Sequence, residues 1–274
     1  MTARNVRIIA YKEIRDSLRN RWFLLYATAF AILAVALSLL SLVGTGMFGH
    51  AGFGRTTAGL VNLVLLIVPL MGLTIGAGAL AAEREKGTLN YLLAQPVSPV
   101  EVLLGKYIGL ATALAAALAV GFGLAAAVMA GKGVNTQIDS YLRLVGLSCV
   151  LALAMLSVGV LISSFASKGS VAAGTAIFLW LVLVFLSDLG LMGGTVVFKL
   201  KVVELFRLSL LNPLQVYKMS MLSGLHATLD VLGPVGAYAM RTYGAGLMWM
   251  FYGLLAAWVV LPVAGAYLNF LRRE

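Results

Sequence analysis

Charge is scarce in this chain. Of 274 residues only 11% are charged, 20 of them Lys or Arg and 10 Asp or Glu. A water-soluble domain normally carries about 25%. Cysteine is nearly absent: Cys149 stands alone in an apolar run, which excludes a disulfide framework or a cysteine-built metal site within one chain and leaves it as a small buried hydrophobe. Histidine occurs only at His50 and His226. No G-x-x-x-x-G-K-[ST] phosphate loop is present; Gly105-Lys106 is followed by Tyr107 and lacks the preceding glycine, so no ATP hydrolysis is expected of this chain alone. The long apolar runs hold no pair of acids and no histidine, which excludes an intramembrane hydrolase. Nor is there an internal repeat of the kind that builds the inverted halves of secondary transporters.

What remains is apolar: 61% of the residues are hydrophobic and the mean hydropathy is +1.00. Water cannot solvate that surface, so a bilayer must. A hydrocarbon core needs about 20 helical residues to cross, and six stretches qualify: 22–43, 58–82, 107–130, 141–165, 170–187 and 245–271. Backbone in lipid must satisfy its own hydrogen bonds, and runs of this length without alternation do so as helices. The expected fold is all-α, a polytopic membrane protein with six transmembrane helices. The basic N-terminal stretch of about twenty residues, followed by an apolar segment long enough to stay in the membrane, does not read as a cleavable signal.

The net charge of +10 is topological. With the N-terminus inside, Arg4, Arg7, Lys12, Arg15, Arg19, Arg21, Arg84, Lys86, Lys106, Lys168, Arg272 and Arg273 share one side. The opposite short loops have only Arg55, Lys132 and Arg143. Positive residues stay cytoplasmic and face anionic lipid, so both termini are expected in the cytoplasm and nucleic acid is not an expected partner. Asp188 ends the fifth run, where it reaches water.

Two connections are unusual. Residues 188–244, on the outer side, are too long for a turn and too apolar for a tail. KLKVVELFRLSLL (199–211) reads as an amphipathic helix carrying Leu205 and Phe206. Asn212 can then cap, and Pro213 open, a second helix carrying Tyr217. This periplasmic helical insertion is the expected contact for an outer partner, through Leu205, Phe206, Asn212, Pro213 and Tyr217. The inner connection, 83–106, starts with Glu83, Arg84 and Glu85 directly after an apolar helix. Gly87 permits a turn, and Thr88 can cap a short helix bearing Leu89, Leu92 and Leu93 that ends at Pro96 and Pro99. Such a leucine-bearing helix at the foot of a transmembrane helix is shaped to enter a groove on a soluble partner.

The order E-R-E-K-G-T-L (83–89), L-L-A-Q-P (92–96) and Gly105-Lys106 resembles the permeases of type-2 ABC exporters, and the resemblance covers most of the chain. It implies that 83–106 is the coupling segment touching a nucleotide-binding subunit, and that residues 1–21, with KEIRDSLRNRWFL (12–24), include an interfacial elbow helix. ATP and Mg would then bind the partner ATPase, with no cofactor on this chain. More narrowly, the KE…LRNRW start, the run from Leu70 to Pro99 and NPLQVYKMSML (212–222) resemble the permeases that serve copper-centre assembly of nitrous oxide reductase. That likeness implies a homodimer carrying two ATPase subunits, a periplasmic β-helix protein and a copper-chaperone lipoprotein, in a bacterial inner membrane. A permease for another substrate, such as a sulfur species, a lipid or a small molecule, stays open, as does a pure mechanical relay. Asn62, Thr74 and Ser148 offer little polar lining for a channel. Met47, His50, Met219, Met221 and His226 are the soft donors that copper would invite. Methionine is also common packing, and residues two apart do not share a helix face, so no metal site is assigned. Gly72/Gly76 and Gly105/Gly109 have small-xxx-small spacing, which recurs by chance among 30 glycines.

Overall fold

The computed structural model describes residues 3–43, 49–131, 138–196, 201–224, 233–244 and 246–273. Side chains at 41–43, 49–56, 90, 93, 186–196, 224, 233–235, 237 and 273 are outside that description. The described residues form helices and short turns, with no strand: α1 Ala3–Arg19, α2 Arg21–Val43, α3 Gly49–Glu85, α4 Thr88–Leu93, α5 Pro99–Gly131, α6 Ile138–Phe165, α7 Gly169–Val196, α8 Val202–Leu210, α9 Pro213–Gly224, α10 Gly233–Tyr243 and α11 Gly246–Arg273. Five stretches are long and apolar enough to cross a bilayer: Arg21–Leu40, Thr57–Glu85, Pro99–Gly131, Ile138–Phe165 and Gly246–Arg272. The expected fifth crossing, 170–187, falls in α7, whose described apolar part is the shorter Gly169–Phe185. The expected outer segment, 188–244, contains the end of α7 and all of α8, α9 and α10.

α3 and α6 form the central pair. Without a hydrophobic force between helices in lipid, close backbone approach over small residues drives their association. A Cβ on Gly76 would lie 2.5 Å from the Leu156 carbonyl oxygen, and one on Gly159 2.5 Å from that of Leu73. Further along the crossing, Ser163 Oγ accepts from the N–H groups of Leu80 and Ala81, both at 2.8 Å. The same logic seats α1 on α5: a Cβ on Gly109 would lie 2.5 Å from the Ala10 carbonyl oxygen. Both glycine pairs noticed in the sequence are therefore helix contacts.

α2 also packs on α5, α7 on α3, and α11 on α6. Pro69 interrupts the hydrogen bonding of α3, and in this stretch the Trp180 indole N–H reaches across from α7 to the Leu66 carbonyl at 3.0 Å. Thr74 returns its hydroxyl to the Leu70 carbonyl, and Ser148 shares its own between Leu144 and Tyr217.

Candidate functional site

The charges expected in a loop sit on helix ends instead. α3 runs through Glu85, and α5 starts at Pro99 rather than 107, so Pro99 opens a helix where the sequence reading has it ending one. Ser98 and Glu101 form a capping box: the Glu101 N–H donates to Ser98 Oγ at 3.3 Å, and the Ser98 N–H to Glu101 Oε2 at 3.2 Å. Asn5 of α1 donates to that same Glu101 oxygen at 3.0 Å. The S-P-V-E spacing was the available signal for this start.

One turn further along α5, Lys106 is 2% exposed. Its Nζ lies 2.8 Å from Glu13 Oε1 on α1 and 2.8 Å from Glu83 Oε1 on α3. Lys12 closes the group, 2.8 Å from the same Glu83 oxygen, 3.5 Å from Glu13 and 3.7 Å from Asp16. Two ammoniums and two largely buried carboxylates thus join α1, α3 and α5, an arrangement that persists only because each charge has a close opposite. Glu83 Oε2 is buried and has no hydrogen-bond partner among the described residues. Partial burial pulls the Lys12 pKa down, but its hydrogen bond to Glu83 and the carboxylates of Glu83, Glu13 and Asp16 outweigh that and raise it.

The acidic-basic triplet after the apolar part of α3 reaches three different neighbours. Glu83 engages α1 and α5. Arg84 donates to the carbonyls of Ser163 and Ala166 at the end of α6. Glu85 Oε2 accepts the Gly169 N–H, at 2.9 Å, where α7 begins. Gly87 then turns the chain at φ 72°, a conformation that costs a residue with a Cβ far more. Thr88, expected to cap α4, turns its hydroxyl back to the Glu83 carbonyl at 3.2 Å and so closes the end of α3. Within α4, Leu89 is buried with Phe23, Leu80, Leu103 and Leu110, and Leu92 is half-buried. Leu93 belongs to α4 but its side chain is outside the description. Tyr91 is 79% exposed, and Gln95 and Pro96 are exposed in the turn that follows. The outward face of α4 therefore carries Tyr91, which leucine spacing alone does not single out.

At the other end of the bundle the reading is corrected. Leu205, Phe206, Pro213 and Tyr217, placed by the sequence on a partner-facing surface, are buried within the chain. Phe206 stacks near Tyr238 and Tyr243 of α10, with ring centroids 6.0 and 5.7 Å away, and Tyr217 meets Ser148 of α6 at 3.0 Å. The apolar side of this amphipathic segment finds its partner in the same chain; Glu204, Arg207, Leu208 and Leu211 face outward. Asn212 is half-buried. Its Oδ1 accepts the Leu214 N–H at 3.0 Å and its Nδ2 donates to the Leu183 carbonyl at 2.8 Å, so it caps α9 and Pro213 opens it.

Met219 and Met221 are buried packing, with Ser209 donating to Met219 Sδ at 3.9 Å. His50 lies in α3 with its side chain outside the description, as is that of Asp188 in α7; Met47 and His226 fall outside the described residues. Among the described residues no group of three or more His, Cys, Asp or Glu could hold a metal.

Apolar helices of membrane-crossing length, with buried charges gathered around a short helix at one end, define a multi-pass membrane protein of the permease class. The chain belongs to the ABC-2 transporter family: residues 7–274 match the ABC-2 family transporter protein. It is 33% identical over 271 residues to the probable ABC transporter permease protein NosY of Stutzerimonas stutzeri. It is 34% identical over 271 residues to the protein of that name from Pseudomonas aeruginosa, and each alignment covers 97% of both chains. Membership of this family implies pairing with an ATPase subunit.

Proposed function

We propose that this chain is the six-span permease of an inner-membrane ABC complex in which α4 receives the motion of a partner ATPase. Both termini lie in the cytoplasm, α1 is the elbow helix and α7 the fifth span. ATP and Mg bind the partner, a NosF-like ATPase dimer, and a homodimer of this chain carries it. The likeness to NosY extends the reading to copper-site assembly of nitrous oxide reductase, with a NosD-like β-helix protein and a NosL-like chaperone outside and no metal on this chain.

The observation that carries the reading is the buried contact of Lys106 with Glu13 and Glu83. It fastens three helices where α4 projects, so a push on α4 is passed to α1, α3 and α5 together. Through Arg84 and Glu85 it also reaches α6 and α7. With so little polar lining between the helices, the work is a mechanical relay to the outer helices α8–α10.

Tyr91→Glu tests this. Its side chain is exposed and supports no packing in the chain, so the variant inserts and melts like wild type. It is expected to lose co-purification of the ATPase from detergent and the stimulated hydrolysis that goes with it. Wild-type co-purification with full hydrolysis would sink the assignment of α4.

A further inference from the structure

Between the N-terminal halves of α6 and α11 lies a cleft of about 410 Å³, within the roughly 300–1,000 Å³ typical of small-molecule sites. Gly146, Leu147 and Val150 of α6 form one wall; Tyr252, Leu255 and Ala256 of α11 form the other, with Arg143 also on its border. Arg143, Gly146, Leu147 and Val150 follow the spacing of a single helix face. A Cβ on Gly146 would meet nothing within 4 Å. This glycine does not serve a close helix contact; its missing side chain gives the cleft depth.

The two helices run parallel. Asn269, near the end of α11, donates to the Ser164 carbonyl, near the end of α6, at 2.9 Å. Their N-termini therefore reach the same bilayer boundary, where unpaired N–H groups and the helix dipoles favour an anion. Arg143 lies five residues inside α6, about 8 Å along the axis at 1.5 Å per residue. It is exposed and makes no ion pair with any described acid, Asp139 one turn before it included. Beside the cleft, Trp249 is 78% exposed and its ring lies 6.3 Å from that of Tyr252; such rings settle at headgroup level.

We propose that this cleft binds an anionic phospholipid, one acyl chain lying in the apolar slot and the phosphate held by Arg143. The complementarity is chemical. The slot has a single cation at its headgroup end and an otherwise apolar lining apart from the Tyr252 hydroxyl. A guanidinium matches phosphate oxygens in a bidentate geometry that a zwitterionic headgroup screens with its own ammonium. A second copy of this chain would have to bring an acid to Arg143. The cleft itself offers none to return, as a two-fold contact of this face with itself requires.

Native mass spectrometry of the full chain in mild detergent, titrated with phosphatidylglycerol or phosphatidylcholine, reads the site. Wild type is expected to hold phosphatidylglycerol in preference. Arg143→Ala should weaken that binding about tenfold, the scale of one charge-assisted hydrogen bond, leave phosphatidylcholine unchanged, and be rescued in part by Arg143→Lys. Gly146→Leu should reduce both lipids by filling the slot, with an unchanged melting temperature. Wild-type phosphatidylglycerol binding in Arg143→Ala and Gly146→Leu would overturn the proposal. So would disulfide-linked dimers of Gly146→Cys in the membrane, because they would place a second copy over the cleft.

Discussion

At the end of the bundle that holds α4, helices are joined by charge; at the end that holds α8–α10, they are joined by apolar burial. Lys106, Glu13 and Glu83 sit together with little access to water, and Arg84 and Glu85 add two more ties to α6 and α7. Opposite them, Leu205, Phe206, Leu214, Val216 and Tyr217 are buried with almost no charge among them. Charge pairs have direction and definite partners, so the first end moves as one piece or breaks. Apolar contacts tolerate sliding, so the second can repack around a displacement. The relay proposed above would use this difference, passing a push through the first end and taking it up in the second.

The largest effect should come from Lys106→Met. It removes the buried cation that Glu13 and Glu83 share and leaves only the half-exposed Lys12 beside them, and removing one partner of a buried pair costs about 3–5 kcal/mol. Thermal unfolding in detergent should show that loss. Glu13→Gln and Glu83→Gln added to Lys106→Met should restore most of it, since no buried charge then lacks a partner. A triple variant as unstable as the single one would show that shape rather than charge holds this end. Phe206→Ala is expected next, at about 3 kcal/mol for an aromatic ring removed from a packed site. No compensating charge change can rescue it, and its unfolding should not respond to salt. A salt-dependent loss there would erase the contrast between the two ends.

Much of this was legible in the residues, for physical reasons that differ by element. The spans announce themselves because lipid demands about 20 apolar residues in a row. The turn at Gly87 was visible because few residues other than glycine accept its φ. The partners of Glu83, Arg84 and Glu85 were not: a charge run reads as solvated until tertiary structure supplies Lys106 and the ends of α6 and α7. Lys106 itself looked like one more topology signal, because pairing it with Glu13 requires knowing that α1 folds back on α5. Residues 188–244 misled for a related reason. An amphipathic helix shows that it buries one face, as Leu205 and Phe206 do, but not whether the cover is another protein or α10 of the same chain. The glycine pairs stood at the limit, since spacing that recurs by chance becomes meaningful only when Leu156 and Ala10 are seen against it.

The smallest effect separates the rim of the charged cluster from its centre. Lys12 is 47% exposed at the side chain, so its pairs with Glu83, Glu13 and Asp16 are screened by water, and Lys12→Met should cost only about 0.5 kcal/mol. Its pKa is raised in the folded chain, so the ammonium is held more tightly folded than unfolded. That contribution is complete below the ordinary lysine value of about 10.4 and fades as pH climbs through the higher folded value. Wild type should therefore lose slightly more stability than Lys12→Met across this alkaline window, while the two run parallel at neutral pH. Added salt should shrink their difference at pH 7, because exposed pairs are screened within about 10 Å at 0.1 M. Lys106, shielded by α1 and α5, should show no such salt dependence. If Lys12→Met proves as damaging as Lys106→Met, the cluster has no rim, and the charge at position 12 belongs to the joint itself.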